Sequence, residues 1–138
     1  MNRNSARILL MQLFYQMEIQ NAFSKEAFLK LIELCCDADD AGNQKEFIFN
    51  VSDCFLGNKE DIDSMIEKYS SGWKLSRIAK VDLSLMRVAV TEAAFLPEEK
   101  KTPVGAAINE AVKIAKKYGT EESGKYVNGV LGEIFRNI

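Results

Sequence analysis

The chain contains no histidine. That absence removes Ser-His and Cys-His nucleophile pairs, histidine-bearing zinc sites and the usual general base near neutral pH. Carboxylate pairs remain, but every candidate stands in an acidic surface run. Cysteine is scarce: Cys35, Cys36 and Cys54, two of them adjacent and none in CxxC spacing. Neighbouring cysteines do not readily chelate one metal, so the expectation is reduced thiols held in the interior of a protein from a reducing compartment. No apolar run approaches the ~20 residues that span a bilayer. The opening Met1-Asn2-Arg3-Asn4-Ser5-Ala6-Arg7 lacks the layout of a secretory signal. A cytoplasmic protein without membrane contact is expected.

Phosphate-cradling loops are missing as well. Gly119, Gly124, Gly129 and Gly132 fit neither a Walker pattern nor a dinucleotide fingerprint, and no strand precedes them. Gly129 and Gly132 read instead as permitting close helix–helix contact, since Gly is otherwise unfavourable inside a helix. No catalytic residue, metal or cofactor is expected.

What is present is a chain of 138 residues, enough for one domain with a real core. The net charge of −2 conceals an asymmetry. Residues 21–72 carry 5 basic and 11 acidic groups, whereas residues 73–138 carry 11 basic and 8 acidic ones. Such a division fits a protein-binding face set apart from a nucleic-acid face, and equally an ordinary solvated surface.

Helical periodicity dominates and no segment alternates like a strand. Four apolar stripes come first: Leu10, Leu13, Phe14 and Met17; Phe28, Leu31, Ile32 and Cys35; Phe47, Ile48, Val51, Cys54 and Phe55; Ile62, Met65, Ile66 and Tyr69. Ser24 caps the second helix, residues 37–43 form a polar connection, and Gly57-Asn58 divides the third helix from the fourth through a left-handed glycine. Ser70-Ser71-Gly72 ends the fourth helix and marks a boundary between two small subdomains, 1–72 and 73–138.

Beyond Trp73, Asp82 is expected as an N-cap, with Val81 and Met86 as its hydrophobic staple. The helix that follows is apolar nearly all round, so it should run through the middle of the domain. Arg87 on it needs a carboxylate partner, because an unpaired buried charge is costly. Thr102 then caps a helix with Pro103 in its first turn, Ile108, Val112 and Ala115 inward and Lys113, Lys116 and Lys117 outward. After Gly119, Thr120 caps the last helix, whose core stripe is Val127, Val130, Leu131, Ile134 and Phe135. Asn109 and Asn128 read as satisfying neighbouring backbone groups. The sum is an all-α fold of about seven helices.

Arg3 and Arg7 are four apart and share a face at the start of the first helix, with Gln12 and Gln16 continuing as polar positions. The corner between the last two helices carries Lys117, Tyr118, Lys125 and Tyr126. Lysines interleaved with aromatic rings suit single-stranded RNA, where rings stack on splayed bases and cations neutralise phosphate. The same tyrosines also suit a corner seal, with rings packed and hydroxyls solvated.

Three segments give the chain a family resemblance. They are Trp73-Lys74-Leu75-Ser76-Arg77-Ile78-Ala79 with Val81-Asp82-Leu83-Ser84-Leu85-Met86-Arg87, then Ile108-Asn109-Glu110-Ala111-Val112 with Tyr126-Val127-Asn128-Gly129-Val130-Leu131, and the opening Arg7-Ile8-Leu9-Leu10-Met11-Gln12-Leu13-Phe14-Tyr15. Together they resemble the NusB family of transcription antitermination factors. Residues 21–69 match it only as amphipathic helices.

The resemblance implies a single NusB-like domain of two packed helical subdomains. It also implies binding to single-stranded boxA-type RNA of ribosomal RNA leader transcripts, shared with a NusE-like small-subunit ribosomal protein. The pair helps RNA polymerase read through terminators as part of an antitermination complex. Carried over by position, the RNA contacts are Arg3, Arg7, Gln12, Tyr118, Gly119, Lys125 and Tyr126. The opening here has fewer arginines than the family's usual run, so weaker phosphate binding is expected. Thr91 stands where the family often has an aromatic residue.

A second reading is a protein-interaction module that docks a basic ribosomal protein without reading RNA itself. A third, the accessory domain of certain ribosomal RNA cytosine methyltransferases, fails for want of a catalytic domain. Monomer and homodimer both stay open.

Overall fold

Asn2 starts the first helix by accepting the Ser5 N–H on its side chain at 2.7 Å, and Asn21 ends it in the left-handed conformation, φ 51°. The computed structural model describes residues 1–36 and 38–138, of residues 38 and 39 the backbone only. The helices are α1 (Arg3–Gln20), α2 (Lys25–Cys35), the single turn α3 (Ala38–Ala41), α4 (Lys45–Lys68), α5 (Lys80–Val90), α6 (Val104–Tyr118) and α7 (Ser123–Arg136). Among the described residues there is no strand, and six helices are longer than one turn. The fold is all-α, as the periodicity requires. No helix among them is long and apolar enough to cross a membrane.

The count falls to six because the two expected helices around Gly57-Asn58 are one. Gly57 keeps a negative φ, and α4 only kinks at Asn58 (φ −130°, ψ 19°). The Asn58 side-chain amide donates to the Cys54 carbonyl at 2.8 Å, so the break is bridged by the residue that makes it. The left-handed exit occurs later, at Ser71 and Gly72. Of the polar connection expected at 37–43, Asp37 lies outside the described residues, and the rest is α3 and a tight turn over Gly42–Gln44.

Three caps differ from expectation. Helix α5 begins at Lys80, so Asp82 lies inside its first turn and the Ala79 carbonyl accepts from Leu83 at 2.9 Å. Val81 and Met86 are then both within the helix and form no staple. Thr102 does not cap α6; its N–H donates to the Glu92 carbonyl at 2.9 Å, and Pro103 stands just before the helix. At the last helix the Ser123 hydroxyl accepts the Thr120 N–H at 2.9 Å, reversing the expected direction. Tertiary contacts and local turns claimed these groups before the helices could.

Every residue of α5 from Asp82 to Val90 is buried, and α1, α4, α6 and α7 pack around it. Leu10, Leu13, Phe14 and Met17 of α1 are fully enclosed, with the Phe14 and Phe55 rings stacked at 4.4 Å. The buried line of α6 is Ala107, Ala111, Ile114 and Ala115, rotated from the expected one; Ile108 and Val112 are half-buried. The thiols are less enclosed than expected: Cys35 is exposed, and Cys36 and Cys54 are half-buried. Asn109 and Asn128 are exposed, not turned toward backbone in the interior as expected. Gly129 and Gly132 have open space where a Cβ would stand, so no helix–helix contact within the chain depends on them.

Arg87 is 0% exposed and found its carboxylates. Its Nε and Nη2 meet both oxygens of Asp63 at 2.8 and 2.9 Å, and Nη1 meets Glu18 at 2.6 Å. Burial works against its charge, but the bonds and charges of Asp63 and Glu18 outweigh it and hold the guanidinium pKa above its ordinary value.

Candidate nucleic-acid interface

Helix α6 ends where Gly119 takes φ −96°, ψ −155°, its N–H donating to Ala115 at 2.8 Å. A Cβ there would lie 2.3 Å from the Ser123 hydroxyl and 2.8 Å from the Ala115 carbonyl oxygen, so only glycine closes this corner. The tight turn leaves Tyr118 40% exposed, with the Lys117 ammonium 5.5 Å from its ring centroid. Lys116, Lys117 and Lys125 are exposed around it. This is a cationic and aromatic corner of the kind that stacks on bases and meets phosphate.

Tyr126 faces the other way. It is half-buried and its hydroxyl is enclosed without a hydrogen bond of good geometry, with Ser70 and Asp82 beside it. Burial, then the charge of Asp82, pushes the phenol pKa up, and Ser70 opposes the shift. The ring lines a cavity of about 210 Å³ together with Trp73, Arg77, Asp82, Glu122 and Ser123. Spacing alone gave no sign of this cavity, although Trp73, Arg77 and Asp82 stand in the segments that carry the family resemblance.

At the start of α1 the two arginines part company. Arg3 is exposed, bonded to Gln44 at 2.6 Å and resting 4.1 Å from the Phe47 ring centroid. Arg7 is only 7% exposed and holds both oxygens of Glu92, at 2.7 to 3.0 Å. Its guanidinium also donates to Asn4, and Asn4 donates to Glu110 of α6 at 2.5 Å. Asn4 and Glu92, which sequence reading passed over, thus tie the N-terminus to α6 and to the turn after α5 respectively. Glu110 lies eight residues before Tyr118, about 12 Å along the helix axis. Gln12 is exposed on the same helix as Arg3.

Fold and corner define a class: an all-α domain around a buried central helix, presenting basic and aromatic groups at one helix corner. The NusB family model matches residues 4–136. The transcription antitermination protein NusB of Acetivibrio thermocellus is 42% identical over 136 residues, spanning 99% of this chain and 90% of that protein. The solved structure of T. maritima NusB superposes with a TM-score of 0.85 at 33% identity, covering 99% of this chain and 92% of the other. A crystal structure of antitermination factors NusB and NusE in complex with dsRNA matches with a TM-score of 0.79 at 28% identity, over 99% and 97% of the two chains. The chain belongs to the NusB family.

Proposed function

We propose that this protein is a transcription antitermination factor that binds single-stranded boxA-type RNA of ribosomal RNA leader transcripts. It does so together with a NusE-like small-subunit ribosomal protein, and the complex promotes read-through of terminators by RNA polymerase. Family membership over nearly the whole chain is the observation that carries this reading. The exposed Lys117, Tyr118 and Lys125 at a corner closed by Gly119 support it chemically.

In this reading Tyr118 stacks on a base, and Lys117, Lys125 and Arg3 meet phosphates. Gln12 offers an amide to the backbone or a base edge. Arg7 acts as a positioning residue, since its charge is spent on Glu92. Tyr126 contributes from within the cavity. The chain works as one domain whose halves, 1–72 and 73–138, meet around α5. It acts without catalysis, in the cytoplasm where transcripts are made.

Burial of Arg7 favours a second reading, a module that docks the basic ribosomal protein through the acidic segment 21–72 and reads no RNA. Fluorescence anisotropy of a labelled boxA-type strand, with and without the partner at two salt concentrations, separates the two. Selective binding that tightens with partner supports the first. Equal binding to scrambled RNA under every condition would sink it.

A further inference from the structure

Helix α2 carries more apolar surface than the core takes up. Phe28 and Leu31 are its buried residues, whereas Ile32 is half-buried and Leu29 is 40% exposed. Leu29, Ile32 and Glu33 share one face of the helix, at i, i+3 and i+4. Lys45 and Phe49 share a face of α4 in the same way. Between these two faces, with the buried Ala41 in its wall, runs a groove of about 220 Å³. Behind it the Phe49 ring packs edge-on against Phe28, with centroids 5.7 Å apart. Among the described residues that line the groove, none belongs to α5, α6 or α7.

The charges around this groove are unevenly matched. Lys25 pairs with Asp53 at 2.5 Å, Lys30 with Glu26 at 3.4 Å and Glu46 with Lys100 at 2.5 Å. Of the charged residues on α2, and on α4 as far as Asp53, Glu33 and Lys45 alone lack an ion pair among the described residues. Both are exposed, and both line the groove. An occupant therefore needs an apolar group flanked by a cation for Glu33 and an anion for Lys45. RNA does not meet this need, since Glu33 repels phosphate and the walls are apolar. A uniformly basic protein surface fails at Lys45. With no strand among the described residues to pair an extended peptide, a helix laid between two helices is the fitting shape. The volume is smaller than a pocket for a drug-sized ligand and takes one large apolar side chain.

We propose that the groove between α2 and α4 docks a protein partner through one amphipathic helix. An apolar anchor of that helix enters between Leu29 and Phe49, with a cation set against Glu33 and an anion against Lys45. The partner is a third component, distinct from RNA and from the NusE-like protein. The groove shares no residue with the cationic corner, so the partner's docking stands whether or not the chain reads RNA.

Three fluorescein-labelled, alanine-rich helical peptides with one central leucine provide the test. The first carries a lysine one turn before the leucine and a glutamate one turn after it. The others carry two lysines or two glutamates at those places. Fluorescence anisotropy with the full chain should rank the mixed peptide about fivefold above the other two. Glu33→Lys should move the preference to the two-glutamate peptide, and Lys45→Glu should move it to the two-lysine peptide. Both positions are exposed and unpaired, so the unfolding temperature should stay where it is. Leu29→Asp should weaken the mixed peptide about tenfold. Three peptides bound equally, or preferences that ignore the two charge variants, overturn the proposal. Displacement of the mixed peptide by RNA or by the NusE-like protein does the same, because the groove then belongs to that ligand. Self-association of the chain that Leu29→Asp abolishes would give the groove to a second copy and is equally fatal.

Discussion

Arg7 and Glu92 meet in a buried, two-oxygen ion pair that joins the first turns of α1 to the wide turn Thr91–Phe95 after α5. From Arg7 the bonding continues outward through Asn4 to Glu110 on α6. An arginine that spacing assigns to an RNA face is thus an internal tie, and it holds the helix start that displays Arg3.

The two arginines should therefore fail differently. Arg7→Ala leaves Glu92 buried and unpaired, which costs about 3–5 kcal/mol of stability. Arg3→Ala removes an exposed contact with Phe47 worth about 0.5–1 kcal/mol and should lower the salt slope of RNA binding by about one. Urea unfolding run beside RNA titrations at several salt concentrations distinguishes them. If Arg7→Ala unfolds like the wild type yet loses RNA, the buried pair has been misjudged.

Arg87 offers a sharper stability test. Arg87→Met leaves the buried Asp63 with the part-exposed Lys59 as its remaining partner among the described residues, at 2.9 Å, and should cost about 3 kcal/mol, whereas Arg87→Met with Asp63→Leu should recover most of the loss. Glu18, at 21% side-chain exposure, can turn to water in the double variant. Unfolding temperatures followed by circular dichroism provide the comparison. A double variant no better than the single one means that Glu18 carries more of the pair than its geometry suggests.

The core of this fold was largely legible in the sequence. A 3.6-residue period exposes itself over fifteen residues, so the α1 and α7 stripes, the all-round burial of α5 and the need of Arg87 for a carboxylate could be read directly. What escaped depends on contacts distant in sequence. Glu92 is 85 residues from Arg7, and no local pattern shows that the pair will close. Asp82 and Thr102 have the chemistry of caps, yet the helix starts elsewhere for one and Glu92 claims the backbone of the other. At the corner, exposure of Lys117, Tyr118 and Lys125 followed from periodicity, but the inward turn of the Tyr126 hydroxyl did not.

Asp82 should leave a trace in the pH dependence of stability. Burial raises its pKa above the ordinary 3.8, and the Ser123 bond only partly offsets this. The folded chain then holds its proton to higher pH than the unfolded chain does. Its contribution is most favourable at low pH and is lost as pH rises from 3.8 through the folded value. Asp82→Asn, which does not titrate, should melt higher than the wild type at neutral pH. That advantage should shrink as the solution is acidified, a trend that paired melting curves across the mildly acidic range would expose. A constant difference at every pH would mean that Asp82 ionises normally.

Glycine substitutions separate packing from recognition on the last helix. Gly119→Ala drives a methyl into the Ser123 hydroxyl and the Ala115 carbonyl, so the corner must open; a loss of about 1–3 kcal/mol is expected. Gly129→Ala meets nothing within 4 Å and sits inside α7, where alanine is better than glycine by about 0.8–1 kcal/mol. It should therefore raise the unfolding temperature. The informative measurement is RNA and partner affinity of that more stable variant. Unchanged affinity would make Gly129 a bystander. A loss of binding in a better-folded protein could only come from the surface itself, and would show that a ligand backbone approaches α7 too closely to admit a methyl group.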